Sequence, residues 1–285
     1  DEQRVRFRRH QLQPVARAGA TVKLFVESAA ILAPGLSGWA AGRAVLAGET
    51  TYEPAPLTPP VAALLPPAER RRTGSTVKLA LAVGHEALSC AGRPVDSVAT
   101  VFVSSGGDGD VINEICITLA GTDRQVSPTR FHNSVHNAPS GYWGIATHSH
   151  HPSISLCGFD WGFAIGLLEA AAQLQVDRRE VLLIAYDTPY PEPLGSVRRV
   201  AQPFGVALLF TRDRTGRAIA ELEVTMDAQP KEVSRMSDAA LERLRAGNPS
   251  ARALPLLAAL AGAPPQRLTL ERDAGQTLSL CVRTF

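Results

Sequence analysis

Five of the seven histidines of this 285-residue chain fall between His132 and His151. They could ligate a metal or act as a base. His132 and His136 stand four apart, and His148, His150 and His151 are clustered, which makes zinc binding conceivable. No H-E-x-x-H frame is present, and Pro139 and Gly141 interrupt the segment, so loop or interface histidines are the preferred reading and no metal is expected. Next comes Cys157, a candidate thiolate nucleophile close to a helix start, where the helix dipole lowers a thiol's pKa. It adjoins Leu156 on an apolar run, and a buried structural cysteine is the preferred reading. Asp160 follows, placed where an N-cap belongs, and capping is its preferred role. The loop Ser104-Ser-Gly-Gly-Asp-Gly-Asp110 has neither the lysine nor the glycine spacing of a phosphate cradle, and reads as a tight strand-to-helix turn.

These residues need a scaffold, and the pattern of apolar runs predicts one. Pro152 opens a short alternation, Ser153 to Leu156, read as a buried strand. Cys157 to Phe159 make a turn. From Asp160 to Gln173 the residues form a helix that is apolar all round and therefore internal. Before it, Val22–Val26 and Val98–Ser104 read as strands, Ser28–Gly35 as a small-residue loop, and Ser37–Ala47, Thr76–Ala91 and Val111–Leu119 as helices. Thr51–Pro67 carries six prolines and reads as surface loop. Pro128–Thr147 reads as a loop followed by a helix. Beyond the central stretch, Val181–Tyr186 is a buried strand and Thr188–Gly195 a proline-rich loop. Phe204–Thr211 and Ala218–Met226 are expected to pair with each other across a turn. Two helices and a closing hairpin, 266–283, end the chain. Strands alternating with helices imply a layered α/β fold.

Composition excludes several classes. Apolar residues make up 45%, charged residues 20%, and the net charge is +2, as in an ordinary globular protein. Five arginines within residues 1–17 suggest a flexible basic arm, taken as 1–20, but without a nucleic-acid-binding signature. No run approaches the roughly 18 apolar residues that a bilayer span needs, and no signal-peptide core is visible. Cys90, Cys116, Cys157 and Cys281 are scattered without C-x-x-C spacing, as in reduced, buried cysteines of a cytoplasmic protein.

The order of segments resembles the N-terminal half of a β-ketoacyl synthase of the thiolase fold. Thr76 to Gly106 is similar to that family's early helix and second strand, and Asn137-Ala-Pro-Ser-Gly141 to its N-x-x-S/A-G helix start. His151-Pro-Ser-Ile-Ser-Leu-Cys-Gly-Phe-Asp160 resembles G-P-S-I-S-I-x-T-A-C, the run ending at the catalytic cysteine, and Phe204-Gly-Val-Ala-Leu-Leu-Phe resembles the later G-A-G-A-L-V-L strand. Counted from the proline, the family's cysteine falls on Asp160. The family's two histidines lie downstream of it, and here no histidine follows His151. A thiolate to carry the acyl group and imidazoles to assist decarboxylation are thus absent. No catalytic residue and no cofactor is expected. Residues 227–285 would be a reduced remnant of the C-terminal half, after a core half at 21–226.

The resemblance implies a non-catalytic, chain-length-factor-like partner of a full-length β-ketoacyl synthase, similar to truncated subunits of aryl-polyene (xanthomonadin-type) biosynthesis, with transient contact to acyl carrier protein. A homodimer in isolation is also expected, because an unpaired apolar sheet edge is a liability. In that family a loop of one subunit lines the acyl tunnel of the other. It corresponds to Pro128–His136 here, with Arg130, Phe131, His132, Asn133 and His136 as tunnel or partner residues, and Asn137, Gly141 and Gly162 as structural ones. The alternative is a stand-alone acyl-thioester enzyme with Cys157 as nucleophile.

Overall fold

Small side chains allow the chain's longest strand to lie under a helix. In a computed structural model, which describes residues 19–264, 266–273 and 275–285, Thr21–Ala33 is one continuous strand, β1. Residues 1–18 of the expected basic arm lie outside the described residues. The small-residue stretch from Ser28, expected to be loop, continues the strand. Ala29 and Ala30 are fully buried, and the Ser28 hydroxyl donates to the Ala87 carbonyl at 2.7 Å on the helix above. Read locally, small residues suggest a loop. In the fold they are what lets a helix approach.

The rest follows in chain order. β2 (Leu36–Ser37) folds back on the end of β1, and α1 (Trp39–Leu46), α2 (Pro67–Arg72) and α3 (Ser75–Cys90) come next. β3 (Ala99–Val103) leads to α4 (Gly109–Ala120), α5 (Pro128–Ser134) and α6 (Ala138–Thr147). The loop expected over Pro128–His136 is therefore a short helix for most of its length, started by Pro128 in its first turn, where proline costs no hydrogen bond. β4 (Ser153–Leu156), a 3₁₀ turn (Phe159–Trp161) and α7 (Gly162–Val176) form the central stretch. Then come β5 (Val181–Asp187), α8 (Leu194–Val197), β6 (Phe204–Thr211), β7 (Ala220–Met226) and α9 (Ala239–Gly247). A 3₁₀ turn (Ser250–Ala253), α10 (Leu254–Leu260), β8 (Arg267–Asp273) and β9 (Gln276–Thr284) close the chain.

All strands among the described residues belong to one mixed sheet, ordered β4-β3-β5-β6-β1-β7-β9-β8, with β2 appended to β1. β4, β3 and β5 are parallel, and the remaining pairs are antiparallel. Two expectations are corrected here. β6 and β7 do not pair with each other, because β1 lies between them and pairs with both. β4 is not buried but is the sheet's edge, half-exposed along its length. The closing hairpin forms as expected, β8 on β9.

Alternation along the strands sends side chains into two cores. On one face α3 and α6 cover Phe102, Leu182, Ile184 and Leu209. On the other α7 and α10 cover Val101, Val103, Leu183 and Leu208. No helix among the described residues is long and apolar enough to cross a membrane.

The register of β1 against β6 shifts between Val26 and Ser28, leaving Glu27 as the extra residue of a bulge. Its side chain is fully buried and receives two guanidinium nitrogens of Arg93 at 3.0 Å and the Thr215 hydroxyl at 2.5 Å. Arg93 also reaches Glu180 at 2.8 Å. Removing one partner of a buried pair strands the other charge, at a cost of about 3–5 kcal/mol. Arg93→Ala should therefore lower unfolding stability by roughly 3 kcal/mol in a urea titration, and a loss under about 1 kcal/mol would contradict a buried, cation-dependent Glu27.

Candidate functional site

The site sits where β4 hands over to α7. After Leu156 come Cys157 and Gly158, then the 3₁₀ turn, with Phe159 at φ 50°. A side chain at Gly158 would meet Ile165 Cδ1 at 2.7 Å and Gly162 Cα at 2.8 Å, so the turn closes only around glycine. α7 then starts at Gly162, and its N-cap is Trp161, with no side-chain cap bond. Asp160 is thus not the cap. The intervening 3₁₀ turn takes its carboxylate away from the helix's free N–H groups and towards two guanidiniums. Arg198 donates to Asp160 Oδ1 at 2.6 Å, and Arg252 lies 3.8 Å from Oδ2 while pairing with Glu271 at 2.5 Å. The Arg198 guanidinium also covers the Phe159 ring, 3.8 Å from its centroid, in a cation–π arrangement.

Cys157 is exposed, contrary to the buried role expected, because the strand it ends is an edge strand. Its thiol donates to the Ser105 carbonyl at 3.2 Å. Cys90 and Cys116 are exposed as well, Cys281 is half-buried, and all four are free thiols. The histidines do not gather around any of them. His136 donates from Nε2 to the Ser104 carbonyl at 3.2 Å, and His132 meets the Tyr142 ring edge-on at 5.8 Å. His148 is the left-handed C-cap of α6. Among the described residues, no three histidine, cysteine or carboxylate side chains converge in a way that could hold a metal.

The Ser104–Asp110 turn is committed to internal bonds. Asp108 caps α4 by accepting from the Val111 N–H at 3.1 Å, and the Ser104 hydroxyl accepts from the Gly107 N–H at 3.1 Å. Beneath the turn is Asp187, at the end of β5, which the sequence reading did not single out. This buried carboxylate accepts from the Ser250 hydroxyl at 2.6 Å, the Ser105 N–H at 2.8 Å and the Ser104 hydroxyl at 3.3 Å. Burial pushes its carboxyl above the usual range, although those hydrogen bonds pull the other way.

The expected tunnel residues divide into two groups. Phe131 and His132 are exposed, and Arg130 pairs with Glu114 of α4 at 2.8 Å. Asn133 points inward, donating to the Arg72 carbonyl at 2.6 Å and accepting from the Tyr142 hydroxyl at 2.9 Å. Asn137 caps α6 without a side-chain bond, and a side chain at Gly141 would meet nothing within 4 Å, so neither has a visible steric role. Gly162 does have one, since a Cβ there would meet Val103 Cγ1 at 2.9 Å. α4 is an anomaly of composition. Val111, Ile112, Ile115, Ile117 and Leu119 make it strongly apolar, yet only Gly109 is buried.

This sheet, flanked by α3 and α7, is the thiolase-like fold of ketosynthases. The chain belongs to the family described as β-ketoacyl synthase, N-terminal domain, which matches residues 44–264. Among solved structures it is similar to a ketosynthase (ApeO) in complex with its chain length factor (ApeC) from Xenorhabdus doucetiae. The identity is 24% and the TM-score 0.69, over 91% of this chain and 99% of that one. The ishigamide ketosynthase/chain length factor matches at 13% identity and TM-score 0.66, over 93% and 99% of the two chains. A type II polyketide acyl-carrier protein in complex with its ketosynthase bound to the hexaketide (AntDE:AntF) matches at 11% and 0.71, over 93% and 100%. No curated protein sequence matches the chain.

Asp187 carries a pH signature. Its carboxyl holds a proton to higher pH in the fold than in the unfolded chain. Its contribution is therefore full below the unfolded carboxylate range and is lost as pH rises through the folded value. Compared from about pH 4 to about pH 8, the wild type should lose stability relative to Asp187→Asn as pH rises. A difference that stays constant with pH would rule out the raised value.

Proposed function

We propose that this chain is a non-catalytic, chain-length-factor-type partner of a full-length β-ketoacyl synthase. It would complete that enzyme's acyl tunnel during cytoplasmic aryl-polyene-type pigment biosynthesis, with transient contact to acyl carrier protein. The observation that carries the reading is the uncovered apolar surface of α4 and α5. Ile117 is 63% exposed and Phe131 67%, with Leu119 and Val135 also exposed. A soluble protein leaves such a patch open where another chain covers it. Among the described residues β4 is an edge strand, with a strand neighbour on one side only. Asp160 stands at the position where the family's motif has its cysteine, and a carboxylate has no sulfur on which an acyl thioester could form. The solved structures that the chain resembles include ketosynthase and chain-length-factor complexes.

Co-expression with a full-length ketosynthase should give a stable heterodimer on size exclusion at micromolar concentration. Ile117→Glu with Phe131→Glu should weaken it at least about tenfold, as expected when buried anchors become charges. Phe131→Ala alone should shift the distribution of product chain lengths. A wild-type chain that elutes separately from the ketosynthase would refute the reading, and so would a complex indifferent to both glutamates.

The exposed Cys157 thiol supports a second reading, an acyl-thioester enzyme that uses it as nucleophile. Such a thiol needs a base within hydrogen-bond reach, and the Cys157 thiol donates to a carbonyl instead. An acyl-thioester probe is expected to leave no hydrolysable acyl adduct on the native protein. Acyl transfer that disappears in Cys157→Ala would favour the enzyme.

A further inference from the structure

We propose that residues 188–200 form a strap closed over the turn at 157–161, and that Asp160 is the latch that holds it through Arg198. The strap is tied down at both ends. The Thr188 hydroxyl lies 3.0 Å from that of Thr76, Val200 is buried, and the Ala201 N–H donates to the Gly247 carbonyl at 2.8 Å. Between those ties two side chains hold it to the body. Tyr190 lies against Gly106 and Gly109 of the loop after β3, so closely that a Cβ on either glycine would collide with it. Arg198 is the second, bonded to Asp160 and stacked on Phe159.

The rest of the strap shows little attachment of its own. Val197, next to Arg198, is 88% exposed, and Glu192, Pro193, Ser196 and Arg199 are also exposed. Among the described residues the backbone bonds of its short helix are local, from the N–H of Gly195 to Pro191, of Ser196 to Pro193 and of Arg198 to Leu194. A single turn of this kind is marginal on its own, so these bonds persist only while the strap is seated. The seat depends on Tyr190 and on the Asp160–Arg198 pair, whose side chains are 31% and 23% exposed, so the pair is shielded enough to count. Charge-assisted bonds of this kind outweigh neutral ones. The inference stands apart from the proposed partner, since it concerns the isolated chain.

Amide hydrogen exchange on the full chain tests it. In Asp160→Asn, exchange at Gly195, Ser196 and Arg198 should speed up roughly tenfold, while amides of α7 and β5 keep their rates. Arg198→Gln should give at least as large a local change, since it also removes the stacking on Phe159, and the double variant no more than Arg198→Gln alone. Glu271→Gln, which removes the carboxylate that pairs with Arg252, should leave the strap protected. Unchanged exchange in Asp160→Asn overturns the proposal, as do additive effects of the two substitutions. A rise spread over α7 and β5 also overturns it, since Asp160 would then support the fold generally.

Discussion

Val103 and Leu183 stand where a Cβ on Gly166 would have to go, at 2.5 and 2.8 Å, and this lack of space sets the height of α7 above β3 and β5. Gly162, one turn earlier, meets the same Val103. With α7 seated so low, Phe163, Leu167, Ala170 and Leu174 reach full burial on the sheet. The turn that precedes the helix is then drawn tight over the strand ends. There Gly158 packs on Gly162, and Asp160 is left to face the arginines. Close helix-to-sheet contact of this kind works only if the interior is packed to solid density, and a methyl group at Gly166 would be overpacking.

Two buried carboxylates flank this core and are accommodated by opposite means. Glu27, thrown inward by a bulge in β1, is matched by the guanidinium of Arg93. Asp187 is met, among the described residues, by hydroxyls and a peptide N–H and by no cation. The first arrangement ties β1 to the chain just beyond α3. The second ties the ends of β3 and β5 to the turn before α10, and so places the loop on which Tyr190 rests. Charge is neutralised at one pole and protonation is favoured at the other.

Much of the fold was legible because apolar periodicity reports burial. The helices at 75–90 and 162–176, the strands at 99–103 and 181–187 and the final hairpin all follow from it. What was not legible depended on neighbours distant in sequence. Ala29 and Ala30 look like loop until α3 is placed above them. β6 and β7 look like a hairpin until β1 is inserted between them. The run from Ser153 to Leu156 alternates like a core strand, but alternation does not say whether a strand has one neighbour or two. At the site, the motif located the turn and Asp160, while the capping role failed because a 3₁₀ turn cannot be told from a helix start by composition. Arg198 carried no local signal, since its partner lies 38 residues away. Asp187 likewise looked like the end of an apolar strand.

The position of β1 bears on how the molecule is assembled. It precedes the other strands along the chain and ends in the interior of the sheet, with Phe25 opposite both Thr211 and Glu221. A ribosome delivers it long before β6 or β7 exists, and apart from the end that β2 pairs its backbone must wait while α3, β3, α7 and β5 are made. Pairings so distant in sequence carry a large loop-closure cost and slow the search for the native state. The seating of β6 and β7 on either side of β1 is thus a late event, and until then a long apolar strand is open to wrong partners.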